Sequence, residues 1–297
     1  MTVDGLMSVP APALLVAQAL DRHPDFRVLR RMRTMDRPGH AGWRSAVCTG
    51  VAIDVETTGR DPDRHSIIEL GMQAFGVDQD GRIVETGEPR GWFECPGEPI
   101  SAEITGITGI RDEDVKGRAI PDGEAVGTIL GCDFVVAHNA AFDRPFLERR
   151  LPEIAGCAWA CSLADVDWGG LGFEARKLKH LAMEMGWFYE PHRATVDVTA
   201  LLHILDHRPS AGPSVATLML ERARRDTYLL EATDAPFGKK DILRERGWRW
   251  DRSRRVWSIE VDHADLEATE EWATLEIYGA LRCPERTRRD WRTRYSG

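Results

Sequence analysis

The sequence predicts an α/β domain over residues 48–208, followed by a small α+β module over residues 228–297. Three observations predict it. β-rich apolar runs stand at 48–55, 66–77 and 134–137. Segments of helical period follow or alternate with them, with Leu178, Leu181, Ala182 and Met185 in one and Val198, Leu201, Leu202 and Leu205 in another. Strands first, then helices mixed with strands, is the order of a sheet packed between helices. The stretch 209–213, with Pro209, Gly212 and Pro213, then breaks the pattern as a linker would.

Residues 1–47 read as an extension: an amphipathic helix at 13–20, a turn at His23-Pro24-Asp25, a strand at 26–29 and a loop at 36–43 marked by Pro38, Gly39 and Gly42. The run 48–55 is a core strand ending in acid. Residues 66–77 alternate as a strand, Asp78-Gln79-Asp80-Gly81 is a turn signal, and 82–86 is the returning strand. A further strand is expected at 91–95, a helix at 121–130 and a short buried strand at 134–137. The helix begun at 142–151 tolerates Pro145 in its first turn. Helices follow at 177–185, with Gly186 as C-cap, and at 194–207. Residues 209–227 form a linker and connecting helix. Beyond them the expectation is a strand at 228–232, a helix at 237–246, a hairpin of 247–251 with 255–261, and an acidic helix at 263–278.

Composition bounds the function. At 42% hydrophobic and 29% charged over 297 residues, the chain can bury a core and remain a water-soluble protein. Its net charge of −9 argues against a histone-like protein that binds through bulk positive charge. The charge is uneven: residues 48–213 hold 28 acidic and 15 basic residues, whereas residues 1–47 are +3 and residues 214–297 are +1. The apolar-rich stretch at 11–20 is too short to span a bilayer and lacks a basic flank before it, so neither a membrane span nor a signal peptide is expected. The 6 cysteines show no CxxC pair, and Cys157 and Cys161 lack a matching second pair for zinc. A reduced, cytoplasmic protein is the expectation.

The acid has a pattern. Asp54 and Glu56 are two apart on a strand, so they share one face, where two ionised carboxylates repel unless a cation lies between them. Asp143 and Asp197 each stand near the start of a helix, where an Asp is also favoured simply as a cap or by the helix dipole. His192 precedes Asp197 by five residues. In the module, Trp248, Trp250 and Trp257 are interleaved with Arg249, Arg252, Arg254 and Arg255, with Trp248 and Trp250 expected on one face of the hairpin. That mixture suits either nucleic-acid contact or a small core built on tryptophans. Arg282, Arg286, Arg288, Arg289, Arg292 and Arg294 make the tail basic, as a phosphate-touching arm or a solvated end.

The segments DVETTG (54–59), HNAAFD (138–143) and HRATVD (192–197), in this order, resemble the three motifs of the DEDDh exonucleases. These are the DnaQ-like 3′–5′ exonucleases, which include the proofreading epsilon subunit of bacterial DNA polymerase III. ISAEITGITGIRDEDV (100–115) is similar to the stretch between the first two motifs, and 162–197 resembles an epsilon-like bacterial branch that stands alone. The resemblance implies an RNase H-like fold with a mixed central sheet flanked by helices. It implies a metal-dependent 3′–5′ exonuclease that releases nucleoside monophosphates by a two-metal mechanism. By motif position Asp54, Glu56, Asp143 and Asp197 hold two divalent cations, Mg²⁺ or Mn²⁺, suited to hard oxygen ligands. His192 is the general base, and activity is expected to rise from neutral to mildly alkaline pH.

Thr57 and Thr58 are expected to line the pocket for the terminal nucleotide, Asn139 to order the loop, and Phe142 to belong more to the core than to a stacking platform. His138 is expected to stand behind the site, and Tyr189 to pack or to touch substrate. The implied partner is the 3′ end of a single strand, DNA ahead of RNA. The alternatives are an exoribonuclease, or a nucleic-acid or polymerase-binding module with weak activity. Tethering segments of a proofreading subunit are not evident after Pro209, which weighs against polymerase association; homodimerisation is left open.

Overall fold

The computed structural model describes residues 11–37, 43, 45–209, 212–252 and 254–296. Parts of the expected loop at 36–43 and of the expected linker at 209–213 lie outside the described residues. The N-terminal part forms α1 (Ala11–Asp21) and β1 (Arg30–Arg31). Then come β2 (Cys48–Thr57), β3 (Ile67–Val77), β4 (Ile83–Thr86), β5 (Arg90–Phe93), α2 (Ala102–Thr108), α3 (Asp112–Val115) and α4 (Asp122–Leu130). They are followed by β6 (Phe134–Ala137), α5 (Ala140–Arg150), β7 (Trp159–Cys161), α6 (Leu178–Glu184), β8 (Trp187–Phe188), α7 (Ala194–Asp206) and α8 (Val215–Ala223). The remainder is β9 (Thr227–Ala232), α9 (Lys240–Glu245), β10 (Arg249–Asp251), β11 (Val256–Asp262), α10 (His263–Glu276) and β12 (Glu285–Arg289). No helix among the described residues is long and apolar enough to cross a membrane.

The first sheet has the order β4-β3-β2-β6-β7, with β5 added to β3. β2 runs antiparallel to β3 and parallel to β6, so the sheet is mixed, as expected. Alternation along β2 divides the core. Val51, Ile53 and Val55 pack on one face with Phe146 and Leu147 of α5 and Ile129 of α4. Ala52 looks to the other face, toward Val198, Leu201, Leu202 and Leu205 of α7 and Met219 of α8. The four α7 positions fall at i, i+3, i+4 and i+7, which explains why this segment is helical and which side it buries. Each such side chain, fully buried, contributes about 1.5–3 kcal/mol.

A second sheet, β10-β11-β9-β12, is antiparallel throughout. Leu230, Leu243, Trp248, Leu266, Ala273 and Ile277 form its own core between the sheet and its helices.

Three expectations change, and one segment that the sequence left without an element gains a helix. The strand expected at 26–29 is not formed; the paired residues are Arg30 and Arg31, which meet the two-residue β8 immediately after Gly186 ends α6. The segment 100–115 contains α2, capped by Ser101 and closed by left-handed Gly109. Trp248 and Trp250 do not share an environment: Trp248 enters the core at 2% exposure and Trp250 stays 46% exposed. The basic tail is neither a free arm nor a solvated end. Residues 285–289 are a strand paired to β9, and Arg294 is buried at 3% exposure. The Trp291 carbonyl accepts the Trp159 amide of β7 at 2.7 Å, and the Trp291 ring stacks on Phe134.

Candidate active site

The pairing of β2 with β6 stops at Ala52 and Val136, so the carboxyl end of β2 stands clear of its parallel neighbour. β3 stays paired with β2 as far as Thr57, so the crevice lies on the β6 side, at the carboxyl end of the parallel pair, the usual place for a site in such a sheet. Asp54 and Glu56 project on the face that meets α7. Opposite Asp54 on β3 is Gly71, where a Cβ would come within 2.4 Å of the Ala194 carbonyl carbon. The missing side chain lets the start of α7 approach the sheet backbone and carries Asp197 to the crevice.

Among the described residues, Asp54, Glu56 and Asp197 each offer an oxygen within 4.8 Å of the others, an arrangement able to hold a metal ion. Asp143 arrives from α5, on the opposite face, and is outside that set. Its Oδ1 accepts the Val55 amide at 3.1 Å, satisfying a backbone group that β6 leaves unpaired. The motifs therefore bring four carboxylates to one strand end, three as a cluster and one locked behind it. His192 sits in the loop before α7 with φ 69°, a left-handed conformation rare outside glycine but less so for histidine. Its amide donates to Asp197 Oδ2 at 2.7 Å, and its side chain is exposed.

The other expected contacts are less uniform. Thr57 is buried and its hydroxyl donates to the Gly59 carbonyl, while the Thr58 amide donates to the Ser66 carbonyl, so both residues fasten the turn after β2. Asn139 is exposed with φ 129°, and its carbonyl accepts the Phe142 amide to start α5. Phe142 is half-buried and packs against the core, its ring centroid 5.1 Å from that of Phe146. His138 lies behind, bonded to Ser162 and to the Arg176 carbonyl, and burial pushes its imidazole down to about 4.

Two residues that the motifs do not contain hold the cluster in place. The Tyr189 hydroxyl donates to Asp197 Oδ1 at 3.0 Å, so both oxygens of Asp197 are engaged by the protein. Glu69, across from Glu56 on β3, is buried; it ion-pairs with Arg193 at 3.1 Å and accepts the Ala194 amide at 3.1 Å. Glu69 thus pins the residues immediately after His192. The available signal was a lone Glu inside an apolar strand, which needs a partner if buried. Replacing Glu69 with Gln is expected to lower kcat about 10–100-fold, as for other residues that orient a functional group. The KM should move little, and an unchanged kcat would exclude this role.

The electrostatics favour a cation. Burial, then Asp143, Asp197, Glu56 and Glu69, hold the Asp54 carboxyl well above the usual range. Burial, then Asp197, Glu69 and Asp143, push Glu56 up to about 8. Burial raises Asp143 to about 7 against the opposing Val55 amide bond. An all-oxygen donor set whose members resist ionisation together fits a hard divalent cation.

Glu56 ordinarily titrates at 4.5 and is raised to about 8 in the fold. Its contribution is therefore complete below about pH 4.5 and is lost as pH rises through 8. In EDTA the melting temperature should fall by several degrees between pH 5 and pH 8, and Mg²⁺ or Mn²⁺ should restore it at pH 8. Calorimetry across that range checks this; a flat profile would count against the repulsive cluster.

Comparison with known proteins places these features among relatives. The family model described as Exonuclease (RNase_T) matches residues 51–205. The chain is 30% identical over 165 residues to a DNA polymerase III PolC-type of Mycoplasmopsis pulmonis, covering 52% of this chain and 11% of that protein. It is 37% identical over 122 residues to the PolC-type polymerase of Listeria welshimeri, covering 39% of this chain and 8% of that one. The chain thus spans about a tenth of the length of the curated relatives it matches. Among solved structures it is similar to Exonuclease X in complex with 5′ overhanging duplex DNA, at TM-score 0.43 and 21% identity over 58% of this chain and 98% of that one. It is also similar to an E. coli ExoI–ssDNA complex, at TM-score 0.46 and 14% identity over 62% and 47% of the two chains.

Proposed function

From the premise that the chain belongs to the exonuclease family, and within it to the DnaQ-like 3′–5′ exonucleases, we propose that it removes nucleotides from the 3′ end of single-stranded nucleic acid, DNA in preference to RNA. The observation that carries the reading is the approach of Asp54, Glu56 and Asp197 to within 4.8 Å at the open end of β2. Family membership implies dependence on divalent metal. Two Mg²⁺ or Mn²⁺ ions, when bound, would neutralise charge at the phosphate and make water acidic enough to lose a proton and act as nucleophile.

The chain's own residues do the rest. Asp54, Glu56 and Asp197 would hold the ions, with Asp143 behind them. Tyr189 and the His192 amide fix the direction of Asp197. A ring nitrogen of His192 takes the proton of the attacking water, the new bond forms to phosphorus, and the bond to the 3′ oxygen of the preceding nucleotide breaks; that oxygen takes a proton from solvent, leaving a strand with a 3′ hydroxyl and a free nucleoside monophosphate. Residues 48–208 are the catalytic unit in this reading, with 228–297 as an accessory module.

Single strands of DNA and RNA labelled at the 5′ end, incubated with Mg²⁺ or Mn²⁺, test the proposal. A ladder shortening from the 3′ end, abolished by EDTA and faster on DNA, is the expected result. Release of the 5′ label as the first product, or digestion in EDTA, would overturn it. A rate independent of pH from 6 to 9 would remove His192 as the base.

A further inference from the structure

The aromatic residues of the second sheet divide into a buried and an exposed group. Trp248 is 2% exposed and sits with Leu230, Leu243, Ile277 and Tyr278 in the core. Trp250 is 46% exposed on β10, an edge strand, directly across from half-buried Trp257, and the two rings lie 5.7 Å apart. Phe237 is 81% exposed, with the Lys240 ammonium 4.5 Å from its ring centre. Lys240 and Arg244 are four apart on α9 and share a face, and the Arg244 guanidinium stands 6.0 Å from the Trp257 ring. These contacts make one continuous path: Phe237, Lys240, Arg244, Trp257, Trp250.

The charge around the path is complementary to phosphate. Residues 237–255 hold eight basic and three acidic residues, a net +5, against −13 over residues 48–213. The core already has its large ring in Trp248, so packing does not account for an indole and a phenyl left in water beside cations. A cation and an exposed ring, repeated along an edge, match a chain of phosphates carrying unpaired bases, because the rings offer stacking faces and the cations follow the backbone. Paired bases would present only their edges and backbone, so a single strand fits better than a duplex.

We infer that the edge formed by Trp250, Phe237, Lys240 and Arg244 binds single-stranded nucleic acid, separately from the carboxylate crevice. This goes beyond the cleavage reading and does not require it.

The test uses the full chain carrying Asp54→Ala, so that a strand remains intact whether or not the parent cuts it. A fluorescein-labelled 20-mer of deoxythymidine is titrated in Mg²⁺ by anisotropy. Adding Trp250→Ala or Phe237→Ala should each weaken binding about tenfold, within the range for loss of one stacking ring. Trp250→Tyr should keep most of the affinity. The double change of Lys240 and Arg244 to Gln should reduce the slope of log affinity against log salt by about 1.4, the value for two phosphate contacts on a single strand. With Asp54 restored, Trp250→Ala should slow shortening of the 20-mer but leave a trinucleotide unaffected. Equal affinity in the parent, Trp250→Ala and Phe237→Ala chains would overturn the inference. So would a blunt duplex that binds as tightly and loses as much with each change. A change in self-association on sedimentation, with oligonucleotide affinity unmoved, would assign the patch to protein contact instead and also overturn it. Because binding is read without cleavage, failure of the nuclease reading and failure of this one are separable.

Discussion

Changing Asp54 to Ala is expected to stop strand shortening, with a rate loss of about 10³-fold or more, since the ions of such a site supply several kcal/mol to the reaction. Asp54 belongs to the oxygen cluster with Glu56 and Asp197 and is acted on by Asp143, Asp197, Glu56 and Glu69 together. No other carboxylate replaces it from the same strand position, because the residue before it on that face is Ala52 and the one after is Glu56. The same change should have the opposite sign on the metal-free fold. Removing one of several buried, mutually repelling carboxyls should leave the melting temperature in EDTA unchanged or higher. Asp54→Asn, which keeps the shape, should be equally inactive. Rates on a 5′-labelled strand, paired with melting curves, read both effects; full activity in Asp54→Ala would remove the metal assignment.

The second large effect concerns stability. Arg294→Ala is expected to cost about 3–5 kcal/mol, the range for removing one partner of a buried ion pair. Arg294 is 3% exposed, lies 3.2 Å from both Asp165 and Glu260, and donates to the carbonyls of Ala223 and Arg225. It therefore ties the end of α8 to β11 and to the loop after β7. Arg144, 2% exposed, holds the carbonyls of Arg292 and Arg294 at 2.6 and 2.7 Å. Without the guanidinium, Asp165 keeps the Tyr295 hydroxyl and the Cys161 amide but loses its cation. At about 2–4 °C per kcal/mol for a protein of this size class, the melting temperature should fall by roughly 10 °C. Arg294→Lys should recover little, because one ammonium cannot serve the five acceptors set around a planar fork: Asp165, Glu260, the Thr227 hydroxyl and the carbonyls of Ala223 and Arg225. A shift below 1 °C would mean that this contact behaves like an exposed pair.

These two residues differ in how far the sequence exposes them. Asp54 is legible because its signal is local: an apolar run ends in two carboxylates with a turn behind it, within a segment that resembles a family motif. The helix that carries Asp197 is legible for the same reason, through Val198, Leu201, Leu202 and Leu205. Arg294 looks like any tail arginine, since its acceptors at Asp165 and Glu260 are 129 and 34 residues away in sequence. Glu69 is hidden likewise: its partner Arg193 lies 124 residues on. β7, three residues long, is too short for periodicity to register, and the strand expected at 26–29 moved because pairing was decided by the brief β8 and not by local β preference. The split of Trp248 from Trp250 depends on α9 and α10 covering one part of the sheet and leaving the edge bare.

The return of residues 291–295 onto the first sheet also bears on timing. A ribosome adding about 5–20 residues per second needs several seconds to extend from Pro209 to Trp291. During that interval the segment that bears the acidic crevice has emerged, yet the backbone partner of Trp159 and the guanidinium that meets Asp165 have not. The carboxylate domain therefore matures late relative to its own synthesis. Full packing of this domain thus waits on a segment translated well after it, which couples its completion to that of the second sheet.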